Sequence, residues 1–149
     1  MFFPKSLGMV AACAFAVAPL GTGAVAQNNT THRSADAVAG KVHRLGVYGN
    51  VQKDCTAGSL PTIRVVTPPK NGELNVRSGK LKAGRIARCP SLQPTAQGVF
   101  YKAHAGYKGT EEVSYEVKTA SGKVELHNVR ITVAAASPAE SKPDQDGEF

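Results

Sequence analysis

The strongest constraint on this chain is the alternation of apolar and polar residues between positions 99 and 133. Val113, Tyr115 and Val117 alternate with Ser114 and Glu116, the two-residue period of a strand with one buried face. Upstream, Gly98 to Ala103 reads as a strand that runs into a glycine-flanked corner at Gly106 to Gly109. Downstream, Thr119-Ala120-Ser121-Gly122 turns the chain and Lys123 to Val133 supplies another strand, so a hairpin is expected. Val124 and Leu126 share one parity there, and Val129, Ile131 and Val133 share the other. A bulge near His127-Asn128 would bring both sets onto the core face.

The rest of the chain fits an all-β domain. Val42 to Val51 reads as a strand weakened by Gly46 and Gly49, which suggest a bulge or bend. Thr62 to Thr67 is a strand with Ile63 and Val65 on one face, stopped by Pro68 and Pro69. Lys70-Asn71-Gly72 turns the chain, and Glu73 to Arg77 returns as an alternating strand. Residues 78–97, with Gly79, Gly84, Pro90 and Pro94, read as a long irregular loop. A loop of that length is uncommon unless it is tied down or functional. Trp is absent and aromatics are few, so Val, Ile and Leu must supply most of the core. Six to seven short strands without a convincing helix fit an immunoglobulin-like β-sandwich over residues 38–134.

The flanks read differently. Lys5 precedes an apolar run from Leu7 to Leu20, and Ala24-Val25-Ala26 fits the small-x-small rule for cleavage before Gln27. Residues 1–26 are therefore expected to be a secretory signal peptide. The run is too short for a transmembrane span of roughly 20 residues and is followed closely by Gly21 and Gly23, so no transmembrane segment is expected. A competing reading takes Val10-Ala11-Ala12-Cys13 as a lipoprotein cleavage box. Residues 27–37 are polar and read as a flexible leader. Residues 135–149 read as a disordered acidic tail. The location implied is periplasmic or secreted.

Signal cleavage would leave two of the three cysteines, Cys55 and Cys89. An even count in an oxidising compartment suggests a disulfide. Closing the loop between them is worth roughly 4 kcal/mol by chain-entropy arithmetic. No Cys or His flanks either cysteine at ligand spacing, so no metal or other cofactor is expected.

Three further segments carry a resemblance. Pro69-Lys70-Asn71-Gly72 supplies a Pro-x-x-Gly turn. Gly106-Tyr107-Lys108-Gly109-Thr110-Glu111 supplies a glycine-aromatic-x-Gly-Thr-acid corner, followed by Val113-Ser114-Tyr115-Glu116-Val117. Val129-Arg130-Ile131-Thr132-Val133 closes with a Val-x-Ile-x-Val strand. In these features residues 61–133 resemble the bacterial immunoglobulin-like and cadherin-like modules of surface proteins. The resemblance implies an adhesion or envelope module. Two positions depart from it: Glu111 stands where those modules have Asp, and Val113 where they have an aromatic. Calcium binding is not carried over, because Glu111 and Glu112 alone form no ligand cluster.

Catalytic signatures are scarce. There is no Gly-x-Ser-x-Gly elbow, no His-Glu-x-x-His helix and no Cys-x-x-Cys. His104, ahead of the glycine corner, is the best lone candidate for a base, against the plainer reading of an exposed loop histidine. Tyr107 and Tyr115 are expected to be structural residues at corners rather than ligand-stacking aromatics.

The formal charge is +7. Between positions 64 and 88 stand Arg64, Lys70, Arg77, Lys80, Lys82, Arg85 and Arg88, with Glu73 the only acid. Such a cluster attracts anionic polymers or lipid headgroups. The competing reading is a solvated loop that keeps the protein soluble. Nucleic acid has no supporting motif. The expectation is a non-catalytic exported module that binds a partner or an anionic surface through Lys80, Lys82, Arg85 and Arg88. The alternative is a small secreted hydrolase or inhibitor built on the 78–97 loop.

Overall fold

A computed structural model describes residues 29–136. The signal peptide and nearly all of the tail expected above lie outside the described residues. Seven strands are formed: β1 (Asn29–Val38), β2 (Val42–Gly49), β3 (Thr62–Thr67), β4 (Gly72–Lys80), β5 (Thr95–Ala103), β6 (Gly109–Lys118) and β7 (Val124–Ala134). They make two sheets, one in the order β1-β7-β6-β3 and one in the order β2-β5-β4. Neighbours are antiparallel except β1 and β7, which are parallel. Among the described residues no helix is long and apolar enough to cross a membrane.

The core lies between the sheets and is built by parity. Val99, Tyr101 and Ala103 of β5 face Val113, Tyr115 and Val117 of β6 together with Val129, Ile131 and Val133 of β7, all essentially excluded from solvent. Each fully buried side chain of this size stabilises the fold by about 1.5–3 kcal/mol. The β6–β7 hairpin turns through Ala120 to Gly122, where Gly122 takes a left-handed φ of 86° and donates its N–H to the Thr119 carbonyl. An L side chain would be strained at that angle.

Four expectations are corrected. Residues 29–38 are not a leader: they pair with β7 from Asn29↔Glu125 to Val38↔Ala134. Polar composition concealed the strand, because its first half is exposed and only Ala37 is buried. The Lys70-Asn71-Gly72 turn does not close a hairpin. It carries the chain from one sheet to the other, since β3 pairs with β6 and β4 with β5. Gly72 is needed there for close approach: a Cβ would stand 2.5 Å from the Lys102 carbonyl oxygen.

The β6–β7 register runs without a shift from Gly109↔Val133 to Lys118↔Val124. No bulge therefore occurs at His127-Asn128. His127 itself keeps the core parity and is buried, while Val124 and Leu126 lie half-buried on the other face. The irregular loop is shorter than expected. β4 extends to Lys80 and β5 begins at Thr95, leaving residues 81–94. The irregularity expected around Gly46 is present, as a register shift between Arg44 and Gly46.

Candidate functional site

The disulfide Cys55–Cys89 joins the 50–58 loop to the 81–94 loop with a Cα separation of 5.6 Å. Cys89 is buried, and Cys55 sits at a left-handed φ of 62°, unfavourable for a residue with a Cβ. Both loops are wired internally. The N–H groups of Gly84, Cys89 and Leu92 donate to the carbonyls of Pro90, Ile86 and Cys89, and that of Leu81 donates to Pro94. The Asp54 carboxylate accepts the N–H and the hydroxyl of Thr56. Those two bonds hold its pKa below the usual carboxylate range.

Arg88 locks the pair of loops together. Its guanidinium donates to the carbonyls of Val51 and Gln52, so its head is committed to backbone acceptors. Lys80 stands at the end of β4, and Lys82 and Arg85 follow on the 81–94 loop; the side chains of all three are exposed. Among the described residues Lys80 and Arg85 form no ion pair. The disulfide also brings in Lys53, exposed and two residues from Cys55. Sequence reading missed it, because its place depends on a link across 34 positions.

The other basic residues of the 64–88 stretch are dispersed. Arg64 pairs with Glu116 across the β3–β6 ladder at 2.7 Å. Arg77 lies over the Phe100 ring, 5.7 Å from its centroid, a cation–π arrangement. Lys70 donates its backbone N–H to Glu111.

Glu111, which the sequence marked only as the acid of the glycine corner, is a polar centre of the fold. Its side chain is buried. One carboxylate oxygen accepts the N–H groups of Lys70 and Asn71 at 2.9 and 3.0 Å, and the other accepts the Tyr101 hydroxyl. A single carboxylate thus ties the β3–β4 crossing to β5 and β6. Burial, then the bond to Glu111, pushes the Tyr101 pKa well above its ordinary value. The available signal was an acid directly after Gly109-Thr110, on the core parity of β6.

A second polar cluster lies where β1 meets β2. The Tyr115 hydroxyl accepts from Arg33 at 2.6 Å and shares a bond of 2.8 Å with the Tyr48 hydroxyl. The His127 ring stacks on Tyr115, with centroids 5.2 Å apart. Among the described residues neither ring nitrogen of His127 has a hydrogen-bond partner, and the Glu125 carboxylate stands 3.7 Å from Nε2, too far for one. Burial, and after it the Arg33 charge, lowers the His127 pKa and so favours the neutral ring. Tyr115 therefore sits fully buried at a sheet-to-sheet junction. Tyr107 is half-buried against the core, with its hydroxyl donating to the Thr110 carbonyl at 3.3 Å.

The outer face of the four-stranded sheet carries an open groove of about 510 Å³, lined among others by His32, Ser34, Thr67, Glu112, Ser114 and Arg130. Four of its polar side chains are paired with one another: Ser114 donates to Thr67 and Arg130 binds Glu112. His104 is exposed in the β5–β6 turn, where its N–H donates to the Asn71 carbonyl. Among the described residues no three His, Cys, Asp or Glu side chains are grouped to hold a metal ion. Compared with known proteins, the chain matches no family model and no curated sequence.

Proposed function

We propose that this chain is an exported, non-catalytic immunoglobulin-like module that engages an anionic polymer or headgroup surface through the loop pair closed by Cys55–Cys89. The observation that carries the reading is the exposure of Lys80 at the end of β4 and of Lys82, Arg85 and Lys53 on the two loops joined by the disulfide and by Arg88. Exposed like charges on linked segments repel one another, so the arrangement adds little to stability and favours a counter-charged partner. The immunoglobulin-like reading is supported by the sheet orders β1-β7-β6-β3 and β2-β5-β4, with the first strand parallel to the last. Export is supported by the Ala24-Val25-Ala26 site together with a disulfide.

The test is binding of the oxidised protein to anionic lipid vesicles and, in parallel, to an anionic polysaccharide. The two arms separate a headgroup surface from a polymer. Binding should weaken steeply with salt, because the screening length falls from about 10 Å at 0.1 M to about 3 Å at 1 M. Changing Lys80, Lys82 and Arg85 together to Ser should abolish it while leaving the circular dichroism unchanged; Arg88 is kept because it holds the loops. Failure of the wild type to bind either probe at low salt, or equal binding by the triple variant, leaves the cations as a solvated loop.

A further inference from the structure

The two sheets end in strands that differ in how their free edges are treated. β3 has a register shift between Val65 and Thr67 and runs into Pro68-Pro69. β2 has the shift at Arg44/Gly46. β1 lies against β2, with Arg33 reaching Tyr48 and the Val38 N–H donating to His43. Bulges, prolines and cover are the usual ways of blunting an edge. Among the described residues β4 has none of them. It ends its sheet and keeps an unbroken register with β5 from Gly72↔Ala103 to Lys80↔Thr95.

The phase of that edge follows from the bonds that flank it. The His104 N–H donates to the Asn71 carbonyl, and the Leu81 N–H to the Pro94 carbonyl. Odd-numbered residues of β4 therefore bond to β5. The N–H and C=O groups of Leu74, Val76 and Ser78 point off the free edge. The side chains of Leu74 and Val76 stand opposite buried Tyr101 and Val99. Val76 nevertheless remains 38% exposed, one of two large apolar side chains so exposed among the described residues. Glu73 and Arg77 lie on the opposite face, exposed.

We propose that β4 is a self-complementary edge that pairs antiparallel with β4 of a second copy, centred on Asn75. In that register Leu74 stands opposite Val76 of the second copy, and Val76 opposite its Leu74, so the apolar side chains cover one another at the open side of the core. Glu73 stands opposite Arg77, twice by the two-fold symmetry. The pairs formed by Leu74 and Val76 are hydrogen-bonded ones, which uses the groups left free at the edge. Sliding by one hydrogen-bonded pair in either direction separates Glu73 from Arg77. An isologous contact of this kind closes on itself as a dimer. It joins the two three-stranded sheets into one. The same register brings Lys80 towards Lys70 beyond the paired residues, so association is best measured near 0.15 M salt, where screening acts within about 8 Å.

The experiment is sedimentation velocity of the oxidised protein over a dilution series. The wild type should show a concentration-dependent monomer–dimer equilibrium. Glu73→Lys and Arg77→Glu each replace two attractive cross-strand pairs by two repulsive ones, and each should weaken the dimer about tenfold or more. An equimolar mixture of the two variants should dimerise again, because each restores the other's pairing. Asn75→Cys should give a covalent dimer on oxidation. Directly opposed residues at a non-hydrogen-bonded site have Cα atoms about 4.5 Å apart, within disulfide range. A wild type that stays monomeric throughout, or variants that dimerise like the wild type, overturns the proposal. So does a mixture that stays monomeric, and so does capture of an extended peptide on β4 without self-association.

Discussion

Truncating Glu111 to Ala probes a buried carboxylate that joins the two sheets. The side chain accepts from Lys70 N–H, Asn71 N–H and the Tyr101 hydroxyl. Hydrogen bonds to a charged group are worth about 1.5–3 kcal/mol each. The two backbone donors sit on a half-exposed link, so water replaces much of what they lose. The Tyr101 hydroxyl has no such recourse, because the residue is completely buried. An orphaned buried hydroxyl costs about 1–3 kcal/mol. Adding a partial loss at the two N–H groups gives a total of about 3 kcal/mol. For a domain of this size that is a fall in Tm of roughly 12–24 °C.

The assay is urea unfolding followed by circular dichroism and tyrosine fluorescence. Glu111→Gln should cost far less, about 1 kcal/mol, because an amide oxygen still accepts the two N–H groups and its NH₂ can donate to the tyrosine oxygen. Adding Tyr101→Phe to the Ala variant should recover about 1 kcal/mol by removing the orphaned hydroxyl. The reasoning fails if Ala costs less than about 1 kcal/mol, if Gln and Ala cost the same, or if Tyr101→Phe gives no relief.

Three further outcomes are expected. The native oxidised protein should show no free thiol from Cys55 or Cys89, and reduction should lower stability by up to about 4 kcal/mol in urea unfolding; two titratable thiols there would refute the link. Stability should be full above pH 6.5 and fall as the pH drops towards the lower folded pKa of His127, because the unfolded chain takes up a proton there and the folded one resists. His127→Phe should flatten that part of the stability–pH curve, and an unchanged slope would show that another group is responsible. Arg88→Ala should loosen the 50–58 loop, seen as faster amide exchange at Gln52 to Thr56, whereas Arg85→Ala should leave exchange there unchanged.

The all-β architecture was legible because it rests on local periodicity. Val113, Tyr115 and Val117, then Val129, Ile131 and Val133, alternate in the sequence and alternate in burial. The disulfide was legible from cysteine count and the compartment expected, and the turn at Gly122 from its residue types. β1 was not legible. A parallel edge strand with an exposed first half has no apolar alternation to show, and each residue's partner on β7 lies 96 positions further on, as Asn29 and Glu125 do. The imagined bulge at His127-Asn128 came from assuming that a core position must be apolar. His127 meets the demand by stacking on Tyr115 instead.

Local residue preference therefore determined which segments are extended, where the chain turns and which cysteines can pair. Tertiary structure alone decided what each charged group does. Arg88 and Arg85 are three positions apart and chemically identical, yet one guanidinium spans two loops onto backbone carbonyls and the other faces water. Glu111 and Glu112 are adjacent, and one holds the sheets together from within while the other pairs with Arg130 on the surface. The physical reason is that the value of a charge depends on its distance to partners and on how much water remains around it. In a two-sheet fold both are set by contacts between residues far apart in sequence.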